Sequence, residues 1–413
     1  MGKIEIPLDI KGVRVIEAEI NEKGEVVIKV ENIEEGTKCR KCRREIKNFH
    51  GYDREIRLRH LPVFNKKVYI EIKPKRYRCP YCEGNPTTTQ KSEWYEANAG
   101  YTKAYEQMIL VQVINSTIVD CSKKQHISEE EVEGIIDRNI ETSIDWEIYE
   151  SIPVIGIDEI AIKKGHKDYV VIISTVGEQG VEIIAVLEDR KKETVKAFFN
   201  KIPLRIKQSI ERVCTDLYEG YINAAKEELP QAQIVADRFH ITKAYRNCAD
   251  KERKKELKRL KKELPESEYE ELKGVMWPFR KNPLEIEPEA QEQLEKIFSL
   301  SVSLKQAYDF REELTSIFDK SPSKTEASFS ILAWVARVKE SSLTCFDSFL
   351  TTLNNHLDEI TNYFLDRQSS GFVEGLNNKI KVLKRRSYGI FNFSRIFQRL
   401  WLDLNGYHLF AFS

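Results

Sequence analysis

The sequence predicts a multidomain α/β protein in which a mixed β-sheet with helices on its faces is interrupted by an all-helical insertion and preceded by a small β-rich module and a helix pair. Three observations predict it. Between residues 153 and 250, β-branched apolar runs alternate with amphipathic helical segments. From about 250 to 365 charged helical periodicity continues with no convincing strand. Before residue 95, short stretches alternate apolar and polar positions around Gly and Pro breaks and carry two Cys-X-X-Cys pairs.

Residues 1–95 form the β-rich module, because "VRVIEAEI", "EVVIKVENI" and "KKVYIEIKPKRYRC" read as short antiparallel strands. In residues 96–150, Ala104, Tyr105, Met108, Ile109 and Gln112 fall at helical spacing, and "STIVDCSKKQHISEEEVEGIIDRNI" reads as two short helices with Ser128 capping the second. Together they predict a helix-turn-helix-like segment, although the acidic start of its second helix suits a phosphate-lined groove poorly. Residues 151–250 begin with "VIGIDEIAIKK", "DYVVIISTVG" and "VEIIAVLED", a three-stranded meander. They continue as helix "KKETVKAFFNKI", buried strand "IERVCTD", helix "LYEGYINAAKEEL", strand "AQIVAD" and helix "RFHITKAYRNCADKERKK". Residues 251–365 are the helical insertion, broken near Pro278, Pro283, Pro288 and Pro322, with Trp277 and Trp334 read as packing residues. Residues 366–413 return to the core as C-terminal helices.

The 413 residues carry 66 bases and 66 acids, so any polyanionic partner must be met by local clusters rather than by a global field. No apolar run approaches the length of a membrane span, and the start "MGKIEIPLDIKG" lacks the pattern of a secretory signal, which predicts a cytoplasmic protein with no membrane partner. Of eight cysteines, Cys121, Cys214, Cys248 and Cys345 are scattered and read as small buried hydrophobes. Cys39, Cys42, Cys79 and Cys82 form "CRKC" and "CPYC", whose two-residue gaps let thiolates reach one tetrahedral Zn²⁺ from tight turns. Two redox motifs fit poorly, since neither pair opens a helix in a βαβ unit. The bases and aromatics around the pairs read either as solvated strand faces or as a surface for DNA phosphates.

Asp158 ends or nearly ends an apolar strand and Asp216 follows another, where an α/β sheet presents side chains to a site. Each alone has a plainer reading as a cap or surface acid. Glu374 stands at the head of "GFVEGLNNKIKVLKRRSYG", with no further acid until Asp403. At 100° per residue, Leu376, Ile380 and Leu383 share one face and Glu374, Asn378, Lys381 and Arg385 the opposite one. Three carboxylates from separate elements suit two divalent cations in phosphoryl transfer, and Asn378, Lys381, Lys384, Arg385 and Arg386 beyond the glutamate suit a DNA backbone. "KERKKELKRLKKE", residues 251–263, reads either as exposed helix or as a contact for flanking DNA. There is no phosphate-cradling Gly-rich loop, so a nucleotide cofactor is not expected.

"GIDEIAIKKGHKDY", "CTDLYEGYINAAKEELPQAQIVADRFHITKAY" and "FVEGLNNKIKVLKRRSYG" resemble the three blocks of bacterial insertion-sequence transposases of the ISL3 family. The resemblance runs from about residue 37 to the C-terminus. It implies a ribonuclease-H-like catalytic domain with an Asp158, Asp216, Glu374 triad, two Mg²⁺ ions and an N-terminal zinc module. It also implies cleavage at element ends followed by strand transfer into target DNA. Asp237, with His240 one turn on, stays open as an alternative second ligand, although "ERVCTD" is the fourth strand counted from Pro153. Double-stranded DNA is the implied partner, and pairing two ends implies at least a homodimer. The alternatives are a silent DNA-binding regulator and another ribonuclease-H-like nuclease.

Overall fold

The computed structural model describes residues 8, 10–161, 169–177, 180–367, 371–386 and 392–411, the side chains of 371–374 and 377 excepted. Parts of the first and third sequence blocks, 162–168 and 387–389, lie outside the described residues. The chain divides into two compact units, Met1–Glu141 with Trp401–Ser413, and Thr142–Leu400.

Among the described residues the first unit begins with nine strands, β1 (Val13–Ile20), β2 (Val26–Asn32), β3 (Thr37–Lys38), β4 (Glu45–Ile46), β5 (Asn48–Tyr52), β6 (Ile56–Val63), β7 (Lys66–Ile72), β8 (Lys75–Arg78) and β9 (Thr87–Thr89). They build a sheet β1-β2-β7-β6, a hairpin β3-β4 and a sheet β5-β8-β9. Val68, Ile70 and Ile72 on β7 are buried in alternation, the two-residue period that the sequence displays. The expected antiparallel pattern is corrected at one ladder: β2 and β7 run parallel, because the excursion between them carries the chain round before β7 joins.

Three helices follow, α1 (Lys103–Val113), α2 (Ile118–Gln125) and α3 (Glu129–Asn139). Thr102, Thr117 and Ser128 cap them by accepting the N–H of Tyr105, Asp120 and Glu131. Ser128 and Glu131 form a reciprocal capping box, which fixes the start of α3 where the sequence signals it. Tyr105, Ile109, Leu110, Val113, Cys121, Val132, Ile135 and Ile136 make the core of this bundle. Leu402 joins that core, and the Asp403 carboxylate accepts the Asn115 N–H at 2.8 Å. Trp401 to Phe410 of the helix Phe393–Phe410 thus count with the first unit, whereas the sequence reading kept all of 366–413 with the catalytic core.

In the second unit, β10 (Val154–Ala161), β11 (Tyr169–Gly177), β12 (Gly180–Leu187), β13 (Arg212–Thr215) and β14 (Gln233–Ala236) form one sheet in the order β12-β11-β10-β13-β14. The meander is antiparallel, and β13 and β14 add parallel to β10. Helices α4 (Lys192–Lys201), α5 (Leu204–Ser209) and α6 (Glu219–Glu228) cover one face, burying Val195, Phe199, Tyr221 and Ile222 against Ile155, Ile157, Val213 and Ile234. On the other face Cys214 and Val235 pack with Ile241 and Tyr245 of α7 (Arg238–Glu263). From α7 to Phe364 the described chain forms helices joined by turns, with no strand.

Trp334 is fully buried there and donates its indole N–H to the Phe310 carbonyl at 2.9 Å. Trp277 departs from the packing role expected of it. It is 66% exposed, because Pro278 and Phe279 take the inward positions of its one-turn helix. Among the described residues no helix is long and apolar enough to cross a membrane.

Candidate catalytic acids and metal centre

The four cysteines sit at the tips of two hairpin turns. Cys39 follows β3 and receives the Arg43 N–H on its carbonyl at 2.9 Å. Cys79 follows β8, and the Cys82 carbonyl accepts the Asn85 N–H at 3.1 Å. Arg43 and Asn85 take the left-handed backbone conformation that such tight turns require (φ 61° and 41°). All four sulfurs lie within 4.8 Å of one another, with Cys39 to Cys82 at 3.9 Å and Cys42 to Cys79 at 3.7 Å. A tetrahedral Zn²⁺ with bonds of about 2.3 Å separates its sulfurs by about 3.8 Å, so the quartet fits the ion. The backbone N–H of Cys42 foremost, with that of Lys41, holds the Cys39 thiol down to about 6. Its hydrogen bond with Cys42 and then burial push the Cys82 thiol up to about 12, so a cation is what would let all four ionise together.

At the sheet, Ile157 pairs with Thr215 and Thr215 with Ala236. The next residue in each case is an aspartate: Asp158 lies on β10, and Asp216 and Asp237 immediately follow β13 and β14, its successive parallel neighbours. Asp158 is interior to β10 rather than at its end, because Asp158 to Ala161 continue the antiparallel ladder with β11. What ends beside it is the parallel ladder with β13. The Asp158 carboxylate accepts the Glu159 N–H at 2.7 Å, and that of Asp216 accepts the Tyr218 N–H at 3.2 Å. Asp237 caps α7 through the Phe239 N–H at 2.8 Å and stands 4.0 Å from the His240 ring.

Burial pushes the Asp216 carboxyl up to about 6; the Tyr218 N–H opposes this, the Glu159 carboxylate adds to it, His240 opposes and Asp158 adds. A carboxyl raised from its ordinary 3.8 keeps a proton in the fold that the unfolded chain has already lost. Without divalent metal the fold therefore loses stability as pH rises from about 4 to 6, by up to about 3 kcal/mol. Urea titrations in Mg²⁺-free buffer should show a smaller decline for Asp216→Asn than for the parent chain, and equal declines would remove this account.

Sequence reasoning missed a cluster beside these acids. The Arg190 guanidinium lies 3.3 Å from the Glu159 carboxylate and over the rings of Tyr169 and Tyr218, at 4.7 and 5.2 Å from their centroids. Tyr221 donates its hydroxyl to Glu159 at 3.4 Å. A composition-level signal existed only in the Tyr and Arg content, since the partners come from four separate elements.

Helix Gly371–Arg386 packs against β10 and β12. It buries Leu376, Ile380 and Leu383 and exposes Asn378, Lys381 and Arg385, the division that the helical wheel predicts. Glu374 falls in its first turn, with its side chain outside the described residues. Lys384, expected on the DNA face, instead donates to the Ala161 carbonyl, and burial holds its ammonium pKa down. Arg386 is half-buried. Among the described residues the cysteine quartet is the only group of three or more ligand side chains drawn close enough to share an ion.

A family model described as "Transposase", that of the ISL3-type DDE enzymes, matches residues 155–400. The chain belongs to the ISL3 transposase family. A second model, described as the zinc-finger of transposase IS204/IS1001/IS1096/IS1165, matches residues 35–82 and encloses all four cysteines. Together with the sulfur geometry it supports a structural zinc for this family member. The chain is 24% identical over 353 residues to the transposase for insertion sequence element IS1001 of Bordetella parapertussis, covering 85% of this chain and 84% of that one. It is 22% identical over 375 residues to the transposase for insertion sequence element IS1557 of Mycobacterium tuberculosis, covering 85% and 82%. The ISL3 match thus spans the sheet, the helical insertion and helix Gly371–Arg386.

Proposed function

We propose that this protein binds the ends of an insertion sequence as a homodimer and catalyses strand cleavage and strand transfer in double-stranded DNA. Asp158, Asp216 and Glu374 are its metal ligands on a ribonuclease-H-like sheet. The observation that carries the reading is the register: Asp158 and Asp216 stand side by side where the parallel ladder ends, and the helix bearing Glu374 packs on the same strand as Asp158. Two Mg²⁺ ions held there would activate the attacking oxygen and stabilise the leaving one.

The chain's own groups do the rest. The ladder with β11 fixes the backbone of Asp158, and Asp216 is anchored one residue beyond the end of β13. Burial discourages Asp216 from ionising alone, which favours its pairing with a cation. Lys384 fastens its helix to β10, and Asn378, Lys381 and Arg385 remain exposed to meet phosphates. Arg190, already ordered by Glu159 and two rings, offers a further donor for the strand being cut.

The test uses full-length protein and duplex DNA carrying the terminal sequence beside its gene. With Mg²⁺, the parent chain should nick the element end, and Glu374→Gln should bind the same duplex without cutting it. Cleavage by Glu374→Gln at the parent rate would defeat the assignment, and a parent chain that binds but never cuts would favour the regulator.

A further inference from the structure

Helix α7 is a 26-residue rod capped by Asp237, the residue that directly follows β14 beside the candidate catalytic acids. Its second half distributes charge unusually. Asp250, Glu252 and Glu256 are buried, at 5%, 2% and 6% exposure. Asp250 is held by Arg253 and Arg280, and Glu256 by Arg259 and the Ser301 hydroxyl. Lys251, Lys254, Lys255, Lys258, Lys261 and Lys262 are all exposed. At 100° per residue these six lie within an arc of about 120°. Only Lys254 and Lys255 lean back on inward acids, Asp250 and Glu252.

A helix that merely needs solvation interleaves both signs on its outer face and gains weak i,i+4 pairs. This one turns Asp250, Glu252 and Glu256 inward, where desolvation opposes them; its exposed Glu263 lies outside the lysine arc and pairs with Arg259, so the ridge itself carries one sign on a chain of zero net charge. The ridge is about 16 Å long, from Lys251 to Lys262, at 1.5 Å per residue. Duplex DNA carries one charge per about 1.7 Å of axis, so such a ridge spans about ten phosphates.

We infer that this lysine ridge is a docking surface for the phosphate backbone of duplex DNA next to the cut. The inference rests on the transposase reading and adds a distance to it. Along one continuous helix the ridge begins about 20 Å and ends about 36 Å from the aspartates at its N-terminus. At about 3.4 Å per base pair, the contacted phosphates lie no more than about eleven base pairs from the scissile bond.

The test compares the full-length parent with a variant carrying Lys251→Gln, Lys258→Gln, Lys261→Gln and Lys262→Gln, its fold checked by circular dichroism and thermal melting. On a long end duplex, the slope of log affinity against log salt should fall by about 3.6, since each of the four lost phosphate contacts contributes about 0.9. On a duplex trimmed to fewer than about six base pairs beyond the cut, parent and variant should have the same slope. An unchanged slope on the long duplex overturns the ridge, as does a variant whose only defect is weaker self-association. A parent that binds duplex with the expected slope but never cuts it defeats the transposase reading while leaving the ridge in place.

Discussion

Asp216→Ala is expected to lower Mg²⁺-dependent strand cleavage by about three orders of magnitude or more, since metal ions supply several kcal/mol of charge stabilisation in the transition state. Duplex binding should be unchanged, because phosphate grip comes from bases elsewhere. Asp237→Ala should behave differently. Its carboxylate is already engaged as the cap of α7, so its loss should destabilise that helix start by about 1 kcal/mol and slow cleavage less. Single-turnover cleavage and chemical denaturation of both variants separate the two roles. An inert Asp237→Ala beside an active Asp216→Ala would reverse the ligand assignment.

Zinc removal is expected to be as severe for the N-terminal module. The core around the quartet consists of Cys39, Ile46, Tyr77 and Cys79, with Cys42 and Cys82 packed against it. So little apolar material cannot hold two hairpins, and small zinc domains draw roughly 10–16 kcal/mol of apparent folding energy from the ion. Cys79→Ser should therefore lose zinc and, with it, amide protection in β3, β4, β8 and β9. The sheet from β10 to β14 should stay protected. Metal analysis with hydrogen exchange reads both, and full protection in zinc-free protein would show the ion to be dispensable.

The strands and helices were legible wherever burial follows a local period. The runs from Val154 to Leu187 and the helix starting at Glu129 announce themselves through β-branched residues and a capping box. The cysteine pairs were legible because their spacing is itself the geometry. Long-range pairing was not. No local pattern says that β2 and β7 run parallel, or that Leu402 would pack with Tyr105 and Ile136. For the same reason Asp158 looked like a strand end: the apolar run stops there, but the ladder with β11 does not. Lys384 is indistinguishable from its basic neighbours in sequence, and only the fold brings the Ala161 carbonyl within its reach. In residues 251–263 the composition showed bases and acids, and only the fold separates them into inner and outer faces.

The Arg190 side chain has a consequence of a different sort. An arginine free in solvent must surrender about 2 kcal/mol of rotational freedom when it grips an anion. Leaning on Glu159 and lying across Tyr169 and Tyr218, this one relinquishes that freedom while the chain folds. An anion arriving at its outer edge meets a fork already set at its angle. A lysine in its place, flexible and without a flat face, would have to be immobilised anew at each encounter.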